Sequence, residues 1–272
     1  MENQVGSESP TYGLPTVKSD QPAEPAKIGP GGRLIGVLVS PGETFADINR
    51  KPTWLIPMLL GIVFYTAYIT FFNIWVKPDY DKMVRAQAQK QAERFGTPAP
   101  APEALALQVK ITKISMYVIP VIGIPVADFA IAGIFALGML LLSANTTYKK
   151  ILSVFAWTGC SVGLVYWILS IAVLFVRDKE TLSEIKLEEI AAVAPTHLGV
   201  LFQSSESAVL KALATSIDIF TIWQLILLTI GFAAISGSRK ITKSSTATVV
   251  VALWIVWVLI KVGIAALGFG PR

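Results

Sequence analysis

The sequence predicts an all-α integral membrane bundle of about five transmembrane helices, with a short amphipathic helix at the membrane interface near the N-terminus. Three observations carry that expectation. Charged residues make up only 15% of the 272, where an ordinary soluble domain has about a quarter. Mean hydropathy is +0.61. Apolar runs near twenty residues recur along the chain, the length that crosses a hydrocarbon core about 30 Å thick.

Residues 1–32 hold Pro, Gly, Ser and scattered charges such as Lys18, Asp20, Glu24 and Lys27, with no apolar centre. That is not the pattern of a signal peptide, and it cannot bury enough surface to fold alone, so a disordered tail is expected. The membrane domain is expected over residues 33–272. Its first piece, 33–40, is apolar but too short to span. In the next, Pro41 suits the first turn of a helix, and Phe45 and Ile48 stand at i, i+3 spacing. Together with Trp54, these residues predict an amphipathic segment lying along the membrane interface. A connector packed on the bundle is the other reading.

The first span is expected over 54–76, with Trp54 and Trp75 near its ends, where aromatic belts sit. The polar loop 77–113 should contain a helix over 80–95, broken by Gly96, Pro98, Pro100 and Pro102. The second span, 117–142, carries Pro120 and Pro125 and is predicted to bend. In the third, 151–176, Gly159 and Gly163 form a GxxxG pair that lets another helix approach closely. Polar residues 177–216 should hold an amphipathic helix carrying Leu182, Ile185, Ile190 and Val193, then a short helix over 206–213. The fourth and fifth spans are expected over 217–235 and 246–269.

Orientation follows from the short connectors. Lys149 and Lys150 mark one, Arg239, Lys240 and Lys243 the other, and both share a side with Arg33, Arg50 and Lys51. This places the N-terminus in the cytoplasm and the C-terminus outside, in the cell (plasma or inner) membrane. The formal charge of +5 is then helix-end charge rather than a nucleic-acid footprint.

Catalytic patterns are missing. One cysteine, Cys160, and one histidine, His197, cannot build a disulfide or a histidine cluster. No phosphate-binding loop, dinucleotide fingerprint or HExxH motif occurs, and no cofactor is implied. The informative residues are charges within apolar spans: Asp128 in the second and Lys261 in the fifth. Their estimated depths agree closely enough for a lysine stem to bridge them. Three readings are open. They form a structural ion pair; or they make a titrating or conducting site; or Lys261 snorkels outward while Asp128 stays protonated or hydrogen-bonded to a neighbouring helix. Asp218 opens the fourth span, where a carboxylate complements the helix dipole.

Landmark residues also carry a family resemblance. Arg33 to Leu38, then Ser40, Pro41, Thr44, Phe45, Ile48, Pro52, Trp54 and Pro57, resemble the opening segment of Yip1-domain membrane proteins of the prokaryotic branch. Tyr148 to Leu152, Ile219 to Leu225 with Gly231, and Trp254 to Leu267 are similar to the family's third, fourth and fifth helices. The resemblance implies five spans and a cytosolic N-terminus. Its eukaryotic members act in vesicle traffic, binding small GTPases and shaping membranes; the cytosolic motifs of that branch are not found here. The resulting expectation is a non-enzymatic scaffold or membrane-organising protein of trafficking type. Its partners would be the lipid bilayer and other membrane or membrane-associated proteins, a second copy included. The rival is a small transporter or channel using Asp128 and Lys261.

Overall fold

The computed structural model describes residues 27–178, 182, 190, 193–202 and 207–269. The disordered tail expected over 1–32 falls outside these as far as residue 26, and so does most of the amphipathic helix expected between Leu182 and Val193. Nine α-helices and no strand form among the described residues.

Two short helices open the domain. α1 (Pro30–Val39) and α2 (Pro41–Arg50) each begin on a proline, whose fixed φ suits a first turn and whose missing N–H is not needed there. Ser40 is the pivot between them. Its N–H donates to the Gly36 carbonyl at 2.8 Å, and its own carbonyl accepts from Thr44 Oγ1 at 3.0 Å. The bend presses Thr44 onto Gly36, where any Cβ would strike the Thr44 hydroxyl. Glycine is required there by close approach.

α3 (Leu55–Val76) crosses the membrane and ends at Lys77, whose φ of 53° breaks the helix. Asp79 caps α4 (Tyr80–Phe95), its Oδ1 accepting from the Lys82 N–H at 3.0 Å, and Gly96 with φ 63° closes it. The helix expected over 80–95 forms at those bounds. α5 (Pro102–Leu141) is longer than expected, 40 residues without a break through Pro120 and Pro125. At 1.5 Å per residue that is about 60 Å, twice the hydrocarbon thickness. The reason lies in residues 102–116, most of which fall within the loop expected over 77–113 but which place Leu105 and Val109 on one face. Both are buried in a cluster with Val84 and Ala88 of α4. Pro102, expected to belong to the break, is the first residue of the helix.

α6 (Tyr148–Val176) is followed by a 3₁₀ turn, Leu198–Phe202, and by α7 (Ala208–Ala214). α8 (Ile219–Ile235) and α9 (Lys243–Ile264), the latter extended by a π-helical turn Ala265–Phe269, complete the bundle. Asp218 caps α8, its Oδ1 accepting from Phe220 N at 2.8 Å and Thr221 N at 3.1 Å, as its position predicts. His197 pairs with Asp218 as an isolated antiparallel bridge, with Leu198 N donating to Ile217 O at 3.0 Å.

α3, α5, α6 and α9 are long and apolar enough to cross a membrane. α8, with 17 residues, covers about 25 Å, the short end of spanning length. It packs against α2, α6 and α9. The chain is a multi-pass membrane protein, and outward side chains such as Leu59, Val63, Ile134, Leu137 and Leu259 face lipid.

The bundle holds two apolar cores. The first joins α1, α2, α5, α6 and α8 around Phe45, Ile48, Met139, Trp157 and Phe232. The second, toward the opposite end, joins α3, α4, α5 and α6 around Tyr68, Phe72, Val84 and Leu174. Gly231 sets a tight seam of the first core: a Cβ there would collide with Val154 and press on the Phe45 ring. Gly231→Val should therefore lower stability by about 1–3 kcal/mol through overpacking. Gly133→Ala, where a Cβ meets nothing within 4 Å, should not. Thermal unfolding of the two variants in detergent checks the contrast.

Candidate functional site

The most complete polar construction lies where α1 and α2 join the bundle. Arg33 is 2% exposed and Asp47 fully buried. All five guanidinium N–H groups find acceptors. Nε and one terminal nitrogen donate to Asp47 Oδ2 at 3.0 and 2.7 Å, and that nitrogen also reaches the Asp47 carbonyl at 3.3 Å. The other terminal nitrogen donates to the Lys51 carbonyl at 3.0 Å and to Thr53 Oγ1 at 2.7 Å. Asp47 Oδ1 accepts from the Lys27 N–H at 2.9 Å and from Arg50 at 3.1 Å. Thr53 Oγ1 also accepts from the Trp157 indole at 3.2 Å, which ties the network to α6.

Burial by itself would raise the Asp47 pKa. The donors from Lys27, Arg33 and Arg50 and the positive charge of Arg33 outweigh it and hold the carboxyl below its ordinary range. In the sequence Arg33 reads as a cytoplasmic-side charge and as the first residue of the family-like segment. The signal that marks it is its place on an apolar face, in line with buried Gly36 and Val37. Asp47 likewise stands beside Ile48, in line with buried Thr44.

Of the two readings of this segment, packing on the bundle describes its apolar side chains. Phe45 and Ile48, expected along the membrane surface, are fully buried in the first core. Pro41 starts α2, and Trp54 lies edge-on to Phe129 at 5.2 Å between ring centres. The apolar side chains that α1 turns outward are Ile35 and Val39.

The second arrangement lies in mid-membrane. Asp128 borders a cavity of about 300 Å³ walled by α3, α5, α6 and α8. Cys160 and Gln224 share its lining with the rings of Tyr65 and Trp167. Gly159 and Gly163 also line it. A Cβ at Gly159 would meet only Gln224 Nε2, at 4.0 Å, and one at Gly163 only Trp167 of the same helix, at 3.7 Å. Within this chain the pair therefore borders open space. Close approach occurs at Gly231 and at Gly138, which abuts Val249 and Leu253 of α9. A second cavity of about 200 Å³, bordered by Pro120, Thr112 and Ser115, shares the Tyr65 wall. Ile124, beside Pro125, lines the first.

Of the three readings of Asp128 and Lys261, the ion pair does not form. Lys261 Nζ donates to Ser216 Oγ at 2.9 Å. Depth is not the obstacle; azimuth is. Gly138 marks the line of α5 that faces α9 at Val249. Counting about 100° per residue, Asp128 is turned roughly 80° from Gly138, and Lys261 roughly 120° from Val249. The two charges point to different neighbours.

The Yip1 domain family model matches residues 35–265. No curated protein and no solved structure matches the chain.

The Arg33–Asp47 network has a pH signature. A carboxyl whose folded pKa is depressed contributes stability that is present above its unfolded value, about 3.9, and lost as pH falls through the folded value. Wild-type stability should therefore decline below about pH 4, and Asp47→Asn should lack that limb. Arg33→Ala at neutral pH, which strands a buried carboxylate, should cost about 3–5 kcal/mol. Unfolding midpoints between acid and neutral pH measure both effects.

Proposed function

The chain belongs to the Yip1-domain family, and from that premise we propose that it is a non-enzymatic scaffold that organises other proteins at the membrane. The observation that carries this reading is the continuity of α5. Tyr80 OH lies 3.2 Å from Met116 Sδ, so Met116 stands level with the base of α4. Residues 102–116 thus extend the spanning helix by about 20 Å beyond that level. α4 packs along this extension through the second core, and its outward residues, among them Asp81, Arg85, Gln89 and Glu93, are polar and exposed. A hairpin built this way presents a fixed polar face whose position the bundle determines. A partner meeting a preset face loses less entropy than one meeting a mobile loop.

The membrane domain, expected from residue 33, begins earlier, with the Lys27 N–H on Asp47 and with α1 at Pro30; in this reading it runs to 272 and follows a shorter tail than the expected 1–32. The α1–α2 end faces the cytoplasm of the cell membrane. Lys149, Lys150, Arg239, Lys240 and Lys243 on the short connectors support that orientation. The α4–α5 hairpin and the C-terminus then lie outside. Partners are other membrane or membrane-associated proteins, at the hairpin or at the outward face of α1. Vesicle-type trafficking is the form of organisation that the family suggests. A second reading, a small transporter or channel, draws on the carboxylate of Asp128 beside a mid-membrane cavity. Proteoliposome flux unchanged in Asp128→Asn would remove it.

Photo-cross-linking in cells separates the scaffold reading from its absence. A photoreactive residue at position 85 or 89 of the hairpin, or at position 35 of α1, should give discrete protein adducts of constant mass. The same residue at lipid-facing position 137 should give lipid adducts only. Repeated failure of positions 35, 85 and 89 to capture any protein would end the proposal.

A further inference from the structure

The cavity beside Asp128 combines four features that a packing defect does not require. It holds a carboxylate near the middle of the apolar part of α5, where a charge is retained only with a partner or a pathway. Among the described residues no Lys or Arg forms an ion pair with that carboxylate, and Lys261 is held by Ser216. Aromatic rings make up much of the wall: Phe64, Tyr65, Phe155 and Trp167. Tyr65 and Trp167 stand edge to face at 5.4 Å, which fixes both rings. Finally, the space is kept open by glycine. A Cβ at Gly61 would meet nothing within 4 Å, and Gly159 and Gly163 are nearly as free.

A carboxylate in a pocket lined by aromatic rings is the chemistry that recognises an organic ammonium ion. The carboxylate supplies the counter-charge, and the ring quadrupoles attract the cation's methyl or methylene shell. An inorganic divalent ion fits poorly, because among the described residues no three metal-ligating side chains gather. An anion is opposed by Asp128 itself. At about 300 Å³, the space lies at the small end of ligand pockets, enough for a headgroup or small amine but not for an entire lipid.

We propose that the cavity bounded by Asp128, Tyr65, Trp167, Gly159 and Gln224 binds an organic ammonium group, supplied by a lipid headgroup or by a free small amine. Asp128 is the charge partner, the rings form the cage, and the Gln224 amide offers a hydrogen bond to a hydroxyl or phosphate carried by the ligand. This site stands apart from the scaffold reading, whose test detects captured proteins and not small cations.

The test uses the full chain in nanodiscs of phosphatidylglycerol alone, which has no ammonium group. Choline chloride is titrated against sodium chloride of equal ionic strength, with the thermal unfolding midpoint as readout. In parallel arms the nanodiscs contain phosphatidylcholine or phosphatidylethanolamine. The expected result is a saturable rise in midpoint with choline or with either zwitterionic lipid, and none with sodium. Asp128→Asn should weaken the response at least tenfold. Gly159→Leu, which fills the cavity and leaves the carboxylate in place, should abolish it. A response to choline in phosphatidylglycerol assigns a free amine, and a response in the lipid arms alone assigns a headgroup. No saturable response in any arm overturns the proposal, as does an equal response in the wild type and Gly159→Leu. That second comparison decides the matter even where Asp128→Asn does not yield folded protein.

Discussion

The rest of the architecture depends on burying Arg33 with Asp47. Taking two charges out of water is costly, and attraction alone seldom offsets that cost; complete hydrogen bonding does. Here each guanidinium N–H has an acceptor, and both carboxylate oxygens accept twice. The geometry needs a sharp bend at Ser40 so that helices begun by Pro30 and Pro41 fold back on each other. It also needs Gly36, because the bend leaves no room for a side chain there. Once the pair is formed, Phe45 and Ile48 are directed into the bundle, where Phe45 packs on Gly231. The short helix α8 is then covered on a face that its 17 residues could not protect alone. One polar contact thus determines which apolar surfaces are internal.

How much of this could be read beforehand varied with the kind of signal. Apolar runs reveal spans because the bilayer imposes a length, and α3, α6 and α9 follow their runs closely. Local chemistry revealed α4, since Asp79 and Gly96 are a cap and a stop whatever surrounds them. The extramembrane part of α5 was hidden because its face, Leu105 and Val109, acquires meaning only from α4 opposite it. Pro102 added to the confusion, being equally at home ending a break or starting a helix.

The site residues show the same divide. The spacing of Gly159 and Gly163 is compatible with packing or with a void, and only the position of α8 decides between them. Asp128 and Lys261 were comparable in depth, which sequence can estimate. Their rotation about separate axes depends on which faces the helices turn to each other, and α5 and α9 meet elsewhere, at Gly138 and Val249. Arg33 and Asp47 sit on different helices, so their relation came from a bend at Ser40 that no period encodes. The mid-membrane cavity lies alongside the first core, whose Met58 and Phe155 border it, and Tyr65 joins it to the margin of the second. It persists because glycines stand where larger residues would close it.

The unbroken length of α5 also makes it a lever. A spanning helix answers a change in bilayer thickness mainly by altering its tilt. Pro102 and Asp128 are on the same continuous helix, at most about 39 Å apart at 1.5 Å per residue. A rotation of about 10° around the level of Asp128 then carries the Pro102 end sideways by up to about 7 Å. With α4 fastened along that end, the outer hairpin moves as a pointer, turning a small strain in the surrounding lipid into a displacement as large as a side chain.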